Sequence, residues 1–197
     1  MKTTPTRMLT IGLIVTLGLG LMGGLGFLQP TSTRINETMQ KTGANNTIHA
    51  STEPTTQVIF VVRHGDTNAN AGQNPNLNAA GALRAQRLAT MLQAESIDAI
   101  YITQTNRSSQ TAAPTANATG IKPAAYPPLD AQALASVIMG SSTHEEILVV
   151  AHSNTVPTII GALGGPALED LDETSFDHLY AVVLRNGRHA RTIRLRY

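Results

Sequence analysis

An α/β domain, three layers built around a mostly parallel central sheet, is the fold class this sequence predicts, and three observations predict it. The runs Val58–Val62 (VIFVV) and Ile147–Ala151 (ILVVA) are continuously apolar and rich in β-branched residues, as suits strands covered on both faces. Segments of roughly helical spacing separate such runs, and strands alternating with helices imply helices packed on both faces of a sheet. Asn186-Gly187, between the strand-like segments Leu179–Leu184 and Arg191–Arg196, is a strong hairpin dipeptide.

The chain opens on a different kind of segment. Lys2 and Arg7 precede Met8 to Leu28, a stretch without a charge and long enough to span a bilayer. Gly12, Gly18, Gly20, Gly23, Gly24 and Gly26 interrupt it, each costing roughly 1 kcal/mol in a soluble helix, so a buried core helix is the weaker reading. Residues 1–28 are expected to be a retained anchor, with a cleaved signal peptide as the alternative; no A-x-A exit follows the tract. The charge bias keeps the start cytoplasmic and exports the rest. Residues 29–56, rich in Thr, Ser, Asn and Gln with Pro30 and Pro54, read as a flexible tether, and residues 57–197 as the folded domain.

Within that domain Val58–Val62 is the first strand. Leu77 to Leu92 follows as a helix capped by Asn78, its apolar positions read as Leu77, Ala80, Leu83, Leu88 and Met91. Ile97–Ile102 is the second strand, Arg107–Ala116 the second helix, Ala124–Tyr126 a short third strand and Ala131–Met139 the third helix. Ile147–Ala151 and the helix Val156–Leu163 come next, and Leu179–Leu184 with Arg191–Arg196 close the domain as a hairpin.

Composition narrows the function. The 197 residues include no Cys, which excludes thiolate metal sites, cysteine nucleophiles, disulfides and lipidated-cysteine anchors. Four of the 14 basic residues (Lys2, Arg7, Arg34, Lys41) but only Glu37 and Glu53 of the 13 acidic ones precede residue 57, so the domain is close to neutral. With four Tyr, three Phe and no Trp it offers no basic, aromatic platform for nucleic acid.

Ligands of open α/β sheets collect at the carboxyl ends of the strands. There the sequence places Arg63-His64-Gly65-Asp66-Thr67 after the first strand, Thr103 and Gln104 leading to Arg107 after the second, and His152-Ser153-Asn154-Thr155 after the fourth. Two arginines and two histidines converging in a near-neutral domain form a pocket suited to a phosphoryl group: guanidinium forks grip phosphate oxygens in pairs, and imidazole can donate to them or attack phosphorus.

Arg63-His64-Gly65 after an apolar strand, Leu77-Asn78 with Gly81, Arg84 and Ala85, Arg107 with Gln110-Thr111-Ala112, and His152 after ILVVA together resemble the histidine phosphatase superfamily, also called phosphoglycerate mutase-like. The resemblance runs from about Val58 to the C-terminus, and the short form with His-Ser-Asn-Thr is closer to compact bacterial phosphatases than to the mutases. It implies an α/β/α sandwich of the phosphoglycerate mutase type and a metal-independent, cofactor-free phosphatase acting on a phosphorylated small molecule or phosphoprotein.

On this resemblance His64 is the nucleophile that becomes phosphohistidine, Gly65 turns the chain and fixes the ring tautomer through its carbonyl, and Arg63, Arg107 and His152 hold the equatorial oxygens. Gly65, Thr67, Thr103, Asn154 and Thr155 are candidate phosphate contacts, although helix capping accounts equally for the last two. Asp66 either orients Arg63 or faces solvent. Many members carry an acid after the third strand; here that position offers only Asp130, a candidate proton donor that an N-cap role explains as well. The expected setting is the cell membrane with the domain outside the cytoplasm, or secretion after cleavage. A catalytically weak anion-binding module on the same fold is the competing reading.

Overall fold

In a computed structural model the described residues are 54–69 and 71–197. The apolar tract and the tether up to residue 53 lie outside them. Among the described residues no helix is long and apolar enough to cross a membrane.

The elements alternate as β1 (Thr56–Arg63), α1 (Ala79–Met91), β2 (Ala99–Ile102), α2 (Asn106–Thr119), β3 (Ala124–Ala125), α3 (Ala131–Gly140), β4 (Glu146–Ala151), α4 (Thr155–Ala162), β5 (His178–Arg185) and β6 (Arg188–Arg196). They build one six-stranded sheet in the order β3-β2-β4-β1-β5-β6. The β1–β4, β2–β4 and β2–β3 pairs are parallel, whereas β5 runs antiparallel to both β1 and β6.

The uninterrupted apolar runs have the expected cause. Side chains alternate across a strand, so Ile59 and Val61 of β1 join Ile147 and Val149 of β4 on one face, packed with Leu134 and Ile138 of α3 and Ile159 and Ile160 of α4. Phe60, Val62, Leu148 and Val150 face the other way, onto Leu88 of α1 and Ala112 of α2. The hairpin turns at Asn186 and Gly187, both with positive φ (51° and 68°), as a two-residue turn matched to strand twist requires. β6 starts at Arg188, earlier than the sequence pattern suggests, because the turn takes only those two residues.

The face that α1 buries differs from expectation. Gly81, Ala85 and Leu88 point inward, while Leu83 is 63% exposed and Met91 39%. The reason is closeness: a Cβ on Gly81 would collide with the carbonyl oxygen of Asp66 and lie 2.7 Å from its nitrogen, so the helix starts directly against the loop leaving β1. Asn78 caps it, its side chain accepting from Gly81 N at 2.9 Å.

Candidate active site

Strand register brings the two histidines together. Arg63 pairs with Ala151 at the carboxyl ends of β1 and β4, so His64 and His152 emerge as neighbours. His64 N donates to Ala151 O at 3.0 Å, and the rings meet edge to face with centroids 5.3 Å apart.

His64 is buried, with Nδ1 2.8 Å from the carbonyl oxygen of Gly65. A carbonyl can only accept, so Nδ1 carries the proton and Nε2 the lone pair. Burial, opposed by that hydrogen bond and reinforced by His152, Arg107 and Arg63, lowers the His64 pKa to about 4. His152 is lowered to about 4 by burial and then by Arg107 and Arg63. Both rings are therefore neutral at neutral pH. Arg107, on the first turn of α2, has its own pKa lowered by burial and by Arg63, as expected where two cations converge.

Among the residues expected to touch a ligand, Gly65, Thr103 and Thr155 make hydrogen bonds that hold the histidines in place. Gly65 N donates to Thr111 Oγ1 at 2.9 Å while its carbonyl accepts from His64, so both backbone groups are engaged. Thr103 is fully buried; its hydroxyl lies 3.0 Å from His152 Nε2 and 2.8 Å from Ser108 Oγ. Thr155 is also buried, its Oγ1 accepting from His152 N at 2.9 Å. Asn154 sits exposed at the N-cap of α4 without a side-chain capping bond. Thr67 lines, with Arg63, Asp66 and Phe176, an open cleft of ≈ 500 Å³. Asp130 caps α3, accepting from Ala133 N at 3.0 Å on an exposed surface. Asp66 does not orient Arg63 but pairs with Arg84 at 2.7 Å.

Arg63 differs most from expectation. Its Nη1 donates to the carbonyls of Asp172 (3.0 Å), Glu173 (2.9 Å) and Ser175 (3.3 Å), and its Nη2 to Glu173 Oε2 (2.6 Å). The guanidinium also stacks 4.1 Å over the Phe176 ring, and its buried Nε has no partner among the described residues. The segment between α4 and β5 thus wraps this arginine.

Chemically, a neutral imidazole with a free Nε2 stands beside two guanidinium groups and a second neutral imidazole. That set can attack and stabilise a transferring phosphoryl group.

Comparison with known proteins agrees in motif and fold. The model of the histidine phosphatase superfamily (branch 1) matches residues 59–130. Among solved structures the chain is similar to the protein histidine phosphatase SixA complexed with tungstate (17% identity, 71% of this chain and 97% of that one, TM-score 0.62). It is similar also to a candidate α-ribazole-5′-P phosphatase from Escherichia coli K-12 (17%, 71% and 97%, 0.60) and to mycobacterial glucosyl-3-phosphoglycerate phosphatase (15%, 72% and 98%, 0.56). At such identities the likeness is one of fold. No curated protein sequence matches the chain.

Proposed function

From the histidine phosphatase fold and the superfamily's motif over residues 59–130, we propose that the domain is a phosphatase that hydrolyses phosphate monoesters through a phosphohistidine on His64, without a metal ion. The observation that carries this reading is the His64 Nδ1 to Gly65 carbonyl contact of 2.8 Å, which aims a neutral Nε2 out of a buried ring.

In the first step the Nε2 lone pair forms a bond to phosphorus while the bond to the leaving oxygen breaks. Arg63, Arg107 and His152 take up the charge on the equatorial oxygens, in place of a metal. Water then attacks the phosphorus of the phosphoimidazole, the P–N bond breaks, and phosphate leaves with His64 neutral again. The leaving oxygen needs a proton only when it is strongly basic. Asp130 is engaged as the N-cap of α3, so leaving groups that need no proton, as in phosphohistidine, acyl phosphates or aryl phosphates, suit the site best. The likeness to a protein histidine phosphatase and to two phosphatases of small molecules makes phosphohistidine proteins and phosphorylated metabolites the substrate classes to assay.

The test is turnover of an aryl phosphate by the full chain, with mass spectrometry of the quenched enzyme. Phosphate on His64 supports the reading; turnover with phosphate on another residue, or none, overturns it. We further propose that residues 1–28 anchor the chain, with the domain outside the cytoplasmic membrane, on the strength of the charge-free tract behind Lys2 and Arg7. Recovery of the intact chain in a carbonate-washed membrane fraction, digestible by external protease, supports this; recovery in the cytosol sinks it.

A further inference from the structure

Arg63 is held in two separable ways. Nη1 is fixed by three backbone carbonyls of residues 172–175, a grip independent of any side chain in that segment. The segment is anchored a second time, by buried Leu171, whose N donates to Ser153 O at 3.0 Å. Nη2 is held otherwise, by a side-chain carboxylate 2.6 Å away that is 79% exposed while Arg63 is 5% exposed.

The other oxygen of that carboxylate accepts from Ser153 Oγ at 2.8 Å. Glu173 therefore bridges the residue that ends β1 and the residue after His152, across the two strand ends that present the histidines. Its pKa is lowered, chiefly by the Ser153 hydrogen bond and then by Arg63, so it is ionised at neutral pH. An anionic oxygen on Arg63 Nη2, with its partner oxygen on the Ser153 hydroxyl, has the chemistry of two oxygens of a phosphoryl group.

We propose that Glu173 is a displaceable internal anion, a carboxylate that occupies the Arg63 fork until a phosphate takes its place. The inference rests on the phosphatase reading for its substrate and on the Arg63–Glu173–Ser153 geometry for its mechanism. Displacement needs only side-chain rotation, because the carbonyls that hold the segment on Nη1 stay where they are. Glu173 meets Arg63 from the solvent side, 79% exposed, and through a single oxygen, so a phosphate that engages Arg107 as well as Nη2 outcompetes it. Glu173 thus lowers the site's affinity for every anion and leaves it open chiefly to those that grip Arg63 and Arg107 together, which makes it a determinant of specificity rather than of chemistry.

The prediction has a sign. Glu173→Gln keeps the shape and the Ser153 contact but removes the competing charge, so inorganic phosphate should bind the full chain about threefold or more tightly, as measured by calorimetry. Ser153→Ala, which frees one carboxylate oxygen, should shift affinity the same way by less. Unchanged or weaker phosphate binding in Glu173→Gln would show that the carboxylate merely positions Arg63, and would overturn the inference. So would a lack of phosphate binding by parent and variant alike. Because this readout needs no turnover, failure of the phosphatase reading appears separately, as a chain that binds phosphate yet forms no phosphohistidine.

Discussion

The hydroxyl of Thr103 lies 3.0 Å from Nε2 of His152, just beyond the ends of neighbouring strands β2 and β4. Ser108 Oγ, 2.8 Å from the same hydroxyl, completes a buried chain from helix α2 to the second imidazole. Thr103→Val keeps the volume but strands a ring nitrogen. An unmade buried hydrogen bond costs about 1–3 kcal/mol, so kcat should fall roughly tenfold with little change in KM, and Thr103→Ser should restore most of it. Steady-state kinetics of both variants is the check.

His64→Ala should abolish turnover, by about a thousandfold or more, while leaving the fold intact, because the ring ends a strand rather than filling a core cluster. Circular dichroism and melting temperature should match the parent closely. Activity within tenfold of the parent would mean that another group is the nucleophile.

Acid should destabilise the domain through the two site histidines. Their pKa values stand at about 4 in the folded protein against 6.5 ordinarily. Between these values the unfolded chain binds more protons, so stability is fully present above 6.5 and declines as the pH falls towards 4. Melting temperature should drop over that interval, and the His64 and His152 ring signals in NMR should not titrate between about pH 5 and 8. Rings titrating near 6.5 would contradict the burial described.

How much of this was legible in the sequence depended on what each residue's role required. His64, His152, Arg63 and Arg107 could be located because a buried strand has a plain apolar signature and its carboxyl end is where ligands gather. The inner face of α1 could not be read by counting large apolar residues, since close approach to the β1 loop selects Gly81 and Ala85 over Leu83 and Met91. Thr103 and Thr155 carry hydroxyls equally able to serve a ligand or a histidine, and only distance decides. Glu173 reaches Arg63 from 110 positions away along an aperiodic segment, so no local pattern pointed to the pair.

Gly81→Ala should cost about 1–3 kcal/mol, the usual penalty for overpacking, because the new Cβ meets backbone atoms of Asp66 rather than a side chain able to turn aside. The displaced loop carries Gly65 and with it the His64 tautomer. Activity should therefore fall further than stability alone explains, measured well below the melting temperature. A variant as active as the parent would show that the loop tolerates the shift.

Asp130→Asn separates chemistry from capping. Asn caps nearly as well as Asp, and the carboxylate's contact is with Ala133 N, so we expect equal, near-parental rates on alkyl and aryl phosphates. A selective loss on alkyl phosphates, whose leaving oxygen needs a proton, would establish Asp130 as the donor.

The strand order carries a consequence for biosynthesis. β1 is the first strand of the domain to be made, yet both of its neighbours, β4 and β5, lie in the last third of the chain. VIFVV therefore leaves the ribosome with no partner on either edge and waits for most of the domain to follow, a short β-prone segment of the kind that associates with other chains while unpaired. A fragment ending at residue 145 keeps β1 but neither of its neighbours. It should sediment as aggregate rather than persist as a smaller folded unit, and the intact domain should fold slowly, at a pace set by pairing across long sequence separations.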